Sequence, residues 1–245
     1  MALMRTSNPA LNSNTFNTGH AFGEDMTLSG AVNKTGILLI CVVATAAWSW
    51  SRFVSAPESV LPLLAMGAIG GFVIALVTVF KKEWSPVTAP LYALLEGLAL
   101  GSISALYEAR FHGIVLQAVG LTFGTLFALL MAYRSGLIRA TENFKLGVVA
   151  ATGGIMLLYL VEFVLGFFGI HFAAINGSGA IGIGFSVLVV IIAALNLVLD
   201  FDFIENGVRA GAPKYMEWYA AFGLMVTLIW LYLEILRLLA KSRRR

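Results

Sequence analysis

Six carboxylates stand inside or at the edge of long apolar runs: Glu96, Glu162, Asp200, Asp202, Glu217 and Glu234. An ionised carboxylate costs at least ~2.5–3.5 kcal/mol at the centre of a membrane helix, so each must be neutralised, paired or turned toward water. No lysine or arginine lies at comparable depth, and Arg237, one turn after Glu234, is close enough to its interface to snorkel. A structural ion-pair network would bring cations along with its anions. Acids alone suit protonation or the holding of a mobile cation. The competing reading is that each acid is protonated and serves as helix glue by hydrogen-bonding a neighbour. Asp200 and Asp202, where the sixth apolar run ends, have plain solvation as a further alternative.

Other chemistries find no residues to carry them. There is no GxSxG elbow and no HExxH pair, so serine-hydrolase and zinc-protease signatures are missing. An intramembrane aspartyl protease needs two aspartates sharing a proton from adjacent spans, whereas Asp200 and Asp202 are two apart and point to different helix faces. The histidines His20, His112 and His171 are scattered, and the single thiol, Cys41, cannot form an internal disulfide. The glycines at 177–184 enter an apolar run rather than a phosphate-binding helix. An enzyme and a bound cofactor are therefore not expected, nor is a nucleic-acid partner, since no basic stripe carries interleaved aromatics.

The elements that hold these acids follow from composition. Of 245 residues, 59% are hydrophobic and 12% charged, and the mean hydropathy is +0.88. Soluble domains carry about 25% charged residues, so a soluble enzyme is nearly excluded. The apolar residues form seven runs: 34–52, about 60–80, 87–107, 114–133, 146–168, 180–199 and 216–239. Most are long enough to cross a bilayer. A helix satisfies its own backbone in hydrocarbon, so the sequence predicts an all-α integral membrane protein, a seven-transmembrane helix bundle. Residues 1–33, rich in Asn, Ser, Thr and Gly, read as a mobile polar tail with a short docking turn at its end. Residues 34–240 form the membrane domain, and 241–245 a basic C-terminal tail.

With seven spans, the N-terminal tail and loops two, four and six share one side. That side carries Arg5, Lys34, Lys81, Lys82, Arg134, Arg139, Lys145, Arg209 and Lys214. The opposite loops carry Arg52 and Arg110, plus the basic C-terminus. The loop bias places the N-terminus in the cytoplasm, and the C-terminal arginines dissent. Gly67-xxx-Gly71, Gly97-xxx-Gly101 and Gly120-xxx-Gly124 are spaced for close helix approach, first of all within the chain and secondarily between chains.

The run NLVLDFDFIENGV (196–208), with a last span ending WLYLEILRLLA (230–240), resembles the Bax inhibitor-1 family, also called transmembrane Bax inhibitor motif or YccA-like proteins. The start MRTSNPALNSNTF and the segment PLYALLEGLALGSIS (90–104) look like its bacterial branch, which implies the bacterial cytoplasmic (inner) membrane. The similarity covers essentially all seven spans and is strongest from Tyr92 to Ser104 and from Asn196 to Ala240. The resemblance implies six helices around a central seventh, and a pH-sensitive calcium leak gated by an aspartate pair bridging helices six and seven. It also implies a link to suppressing cell death and, in bacteria, to binding a membrane-embedded AAA protease.

By position, Asp200 matches the helix-six aspartate of the family's D-x-x-x-I element, with Ile204 fitting. Asp202 falls where many members have a neutral polar residue. For the helix-seven partner, Glu234 in LYLE fits the family's LYLD. It is nevertheless about 18 residues into its helix, roughly 27 Å along at 1.5 Å per residue. Glu217, one turn in, is better placed by depth. Glu96 and Glu162 rest on the membrane argument alone.

Two readings follow. In the first, the protein is a cation leak channel or exchanger. Asp200, Glu234, Glu217 and Asp202 gate it and sense pH, Glu96 and Glu162 line the ion path, and calcium contacts Asp200 as a divalent ligand of carboxylate oxygens. In the second, the protein is a non-conducting membrane regulator that binds a protease or another partner through its tail and lipid-facing grooves. An intramembrane enzyme ranks below both.

Overall fold

The computed structural model describes residues 24–169 and 172–244. Among them, seven helices are long and apolar enough to cross a membrane. They are α1 (Leu28–Ser55), α2 (Val60–Phe80), α3 (Ser85–Arg110), α4 (Ile114–Arg134), α5 (Glu142–Gly166), α7 (Ala180–Arg209) and α8 (Met216–Arg243). A single-turn helix, α6 (Ala173–Asn176), lies between α5 and α7. The sixth and seventh runs of the sequence are thus α7 and α8.

Three boundaries differ from those read in the sequence, each for a local reason. Residues 1–23 of the expected mobile tail lie outside the described residues, but α1 begins at Leu28 rather than near Lys34. Thr27 caps it, its hydroxyl accepting from Gly30 N at 3.0 Å, which satisfies one of the amides a helix start leaves open. The sixth run does not stop at 199. α7 continues to Arg209, about 45 Å of helix against a hydrocarbon core of about 30 Å. Its last turns are stitched by Asn206 to Asp202 at 2.9 Å and by Arg209 to Glu205 at 2.5 Å. Asp200 therefore sits within a helix and not at its end. At the other terminus α8 runs on to Arg243, so Lys241 belongs to the helix rather than to a tail.

The contacts gather into two units, each with its own packing. The first comprises the described residues up to His112 together with Asp202–Val226. Here α3 is the hub, packed along both α1 and α2. The approach to α1 is close enough that a side chain at Gly97 or Gly101 would run into the backbone of Val42 or Ala46. On the other flank a Cβ at Gly67 would lie 2.6 Å from the backbone of Leu95 and Ala99. Ser49 fastens the α1 contact, donating to the Leu98 carbonyl at 2.9 Å and lying 2.8 Å from Ser102 Oγ. Backbone proximity is what small residues allow in a bilayer, where apolar burial drives no association.

The second unit comprises the described residues of 113–201 and 227–244. Buried Asn196 of α7 donates to Thr152 of α5 at 2.8 Å and to the Ile192 carbonyl of its own helix at 2.8 Å. Tyr133 packs on Phe201, and Tyr159 meets Phe185 edge to face. Gly120 and Gly124, by contrast, have no heavy atom of the described residues within 4 Å of where a Cβ would stand. Their spacing marks an open face, not an internal helix contact.

Candidate functional site

Each acid singled out in the sequence has a distinct setting. In the second unit Asp200 is 3% exposed. The Thr227 hydroxyl of α8 donates to its carboxylate, and Oδ2 is buried without a hydrogen-bond partner among the described residues. Glu234, also 3% exposed, is seven residues further along α8 than Thr227, about 10 Å of helix rise. Its Oε1 accepts from Tyr159 Oη at 3.0 Å and from Arg237 Nη1 at 3.3 Å, while its Oε2 has no partner among the described residues. Arg237 Nη1 also donates to Tyr159 Oη at 2.8 Å, so acid, phenol and guanidinium form a closed triangle between α5 and α8.

Half-buried Glu162 accepts from Asn176 of α6. Together with Glu234 it acts electrostatically on Lys241. The Lys241 ammonium is buried and donates to the carbonyls of Ile175 and Gly182 at 2.7 and 3.2 Å, and to Ser186 Oγ at 2.9 Å. The end of α8 is thereby clasped to the segment entering α7.

In the first unit Glu217 is fully buried. Its Oε1 accepts from Thr27 N at 2.9 Å and Thr27 Oγ1 at 2.8 Å, and Lys34 Nζ reaches Oε2 at 2.5 Å. Lys214 lies 3.4 Å from Oε1 and 3.3 Å from Glu24. Its hydrogen bond to Glu24, joined by the one to Glu217, holds the ammonium above its ordinary pKa of 10.5. The Lys34 ammonium also sits over the Trp218 ring at 5.7 Å. Gly30 is needed here, because a Cβ on α1 at that point would occupy the place of the Glu217 carboxylate. Glu96 of α3 faces Gly71 of α2, where a Cβ would stand 2.7 Å from its Oε1. Half-buried Asp202 is engaged by Asn206 within its own helix.

The expectation of acids without cations therefore fails at Glu217 and Glu234. It holds at Asp200, which no described ion pair involves. The cations for the two exceptions come from a helix start that hydropathy places outside the membrane and from the neighbouring turn of the same helix. The Glu234–Arg237 spacing, i to i+3, is a helical-pair signal that was present in the sequence. Thr227 and Tyr159 carry no such signal. Their roles arise from which helices meet.

Among the described residues no group of three or more His, Cys, Asp or Glu is gathered to hold a metal. Seven membrane-length helices, with their buried acids met mainly by hydroxyls, a phenol and flanking cations, define a polytopic α-helical integral membrane protein. The model of the Bax inhibitor 1 like family matches residues 8–244, and the chain belongs to that family. No curated protein matches it. Membership of that family is in keeping with a non-enzymatic protein.

Proposed function

We propose that this protein is a pH-sensitive cation leak of the bacterial cytoplasmic membrane, with calcium as the permeating ion and Asp200 as its gating carboxylate. One observation carries the reading: Asp200 is buried within a membrane helix and, among the described residues, has one oxygen unpartnered and only a neutral hydroxyl, Thr227, donating to it. Protonated, the group is neutral and the α7–α8 contact closes. Ionised, it is an uncompensated charge in a low-dielectric place, and the arrangement that admits a cation or water is favoured. Calcium takes 6–8 oxygens, far more than Asp200 and Thr227 offer, so the ion keeps most of its water. That suits transit better than storage.

Glu234, with its own unpartnered oxygen, is the second titrating group of the path, with Glu162 beside it and Glu96 as a further lining acid. Glu217, saturated by Lys34, Thr27 and Lys214, we assign to fastening α1, and Asp202 to a supporting place next to the gate. The loop charges favour a cytoplasmic N-terminus. α8 is the most buried of the described spanning helices, which supports the family arrangement of six helices around a seventh.

Calcium flux into liposomes holding only this protein tests the proposal. We expect flux that varies with pH, and Asp200→Asn to flatten that dependence while the protein stays folded. Flux of unchanged pH dependence in Asp200→Asn overturns the gate.

A second reading is favoured by a separate observation: the open face at Gly120 and Gly124 on α4 is the small-xxx-small surface on which another membrane helix packs. It makes the chain a regulator docking on a partner such as a membrane protease. Absence of flux from the wild-type protein decides for it.

A further inference from the structure

We infer that the second unit carries a binding site for one anionic glycerophospholipid, with an acyl chain in a groove between α5 and α7 and the headgroup phosphate on Arg237. The groove is lined by Ala151, Gly154, Ile155, Leu158, Phe185, Leu188 and Ile192, and its volume is about 270 Å³. That is just under the ~300–1,000 Å³ of small-molecule pockets, so it suits a single chain rather than a bulky ring system. Its length along each helix, from Ala151 to Leu158 and from Phe185 to Ile192, is about 10 Å at 1.5 Å per residue. A straight run of methylenes fills such a slot.

What makes the groove more than a gap facing lipid is the charge at its end. Phe185 of the lining packs edge to face on Tyr159, with ring centroids 6.3 Å apart. The Arg237 guanidinium lies over the Tyr159 ring, 5.1 Å from its centroid. It is therefore one aromatic ring away from the groove. Its side chain is 41% exposed, and among the described residues Nη1 alone is engaged, by Tyr159 and Glu234. Nη2 and Nε are left as a planar fork of donors, the geometry that matches a phosphate.

The depths agree. Tyr159 is seven residues before the end of α5, Phe185 five after the start of α7 and Arg237 six before the end of α8. All three lie about 8–10 Å inside their helix ends. A phosphate drawn to that level by a snorkelling arginine leaves its acyl chain running down the groove. Lys241, Arg243 and Arg244 follow on the same helix end, against Glu162 and Glu234, so the excess charge there is positive.

The test is lipid retention by the delipidated protein in detergent, read by native mass spectrometry with phosphatidylglycerol or phosphatidylcholine added. The wild type is expected to retain one phosphatidylglycerol per chain in preference to phosphatidylcholine by roughly fivefold, the worth of one basic side chain at an anionic surface. Arg237→Gln removes the preference but not retention. Gly154→Leu fills the groove and removes retention of both lipids. No heavy atom of the described residues lies within 4 Å of a Cβ at Gly154, so this variant is expected to fold and keeps the test open if Arg237→Gln does not. Glycerophosphoglycerol, the headgroup without chains, is expected not to compete. Equal retention of the two lipids by the wild type, a preference that survives Arg237→Gln, or retention that survives Gly154→Leu overturns the site. So does a change of oligomeric state in Gly154→Leu without loss of lipid, which assigns the groove to a second copy of the chain.

Discussion

The Glu217 cluster makes an asymmetric prediction. Glu217 is fully buried, whereas the Lys34 side chain is 19% exposed. Removing one partner of a buried ion pair costs about 3–5 kcal/mol, because the other charge is stranded. Lys34→Met strands the carboxylate, but Thr27 still donates to it twice and Lys214 remains 3.4 Å away. The expected loss is therefore below that range, about 2–3 kcal/mol. Glu217→Gln removes the charge at its buried end instead. Its amide oxygen still accepts from Thr27, and water reaches both lysines, so the expected loss is about 1 kcal/mol.

For a chain of this size 1 kcal/mol shifts Tm by about 2–4 °C, which places Lys34→Met roughly 5–10 °C below wild type and Glu217→Gln about 3 °C below. The assay is thermal unfolding in detergent, followed by reaction of a thiol-reactive dye with Cys41, the one cysteine, half-buried in α1 and two turns beyond Lys34. The double variant is expected to lose less than the sum of the two, since a methionine opposite a neutral amide strands nothing. Equal shifts for the two single variants, or strict additivity in the double, refute the reasoning.

The glycine reading separates two positions with the same sequence motif: Gly97→Leu drives a side chain into the Val42 backbone and is expected to cost more than ~3 kcal/mol or prevent folding. Gly120→Leu, with open space beside it, is expected within about 0.5 kcal/mol of wild type in the same dye assay. Lys241→Met leaves two carbonyls and a serine hydroxyl without their shared donor. It is expected to cost about 1–3 kcal/mol and to raise amide hydrogen exchange across residues 175–186 more than across α4.

The seven helices were legible because length and hydropathy in a bilayer are nearly a sufficient description of a spanning helix. The same rule explains what was illegible. Once a helix leaves hydrocarbon its residues turn polar, so the first turns of α1 and the last ten residues of α7 read as tail and loop, and Asp200 seemed to lie at a helix end. Lys34 was counted as a topology charge, although its partner Glu217 was already among the candidate acids. Their contact spans the chain and leaves no local periodicity. Asp200 was found because a lone aspartate among aliphatics is conspicuous. Thr227, the hydroxyl beside it, was not, since a threonine in an apolar helix is unremarkable until the facing helix is known. Glycine spacing alone did not distinguish Gly97, pressed on backbone, from Gly120, facing outward.

The fastening of α1 also sets an order of events during biosynthesis. Thr27 and Glu217 are 190 residues apart, so at ~5–20 residues per second α1 waits about 10–40 s for the residue that secures it. Throughout that interval the Lys34 ammonium has no buried carboxylate, and the start of α1 is held by its own cap alone. Only when α8 arrives does the joint close, and a ribosome product that stalls before α8 keeps a first helix that can pack on α3 but is loose at its start. The contact thus makes the anchoring of the first helix conditional on synthesis of the last.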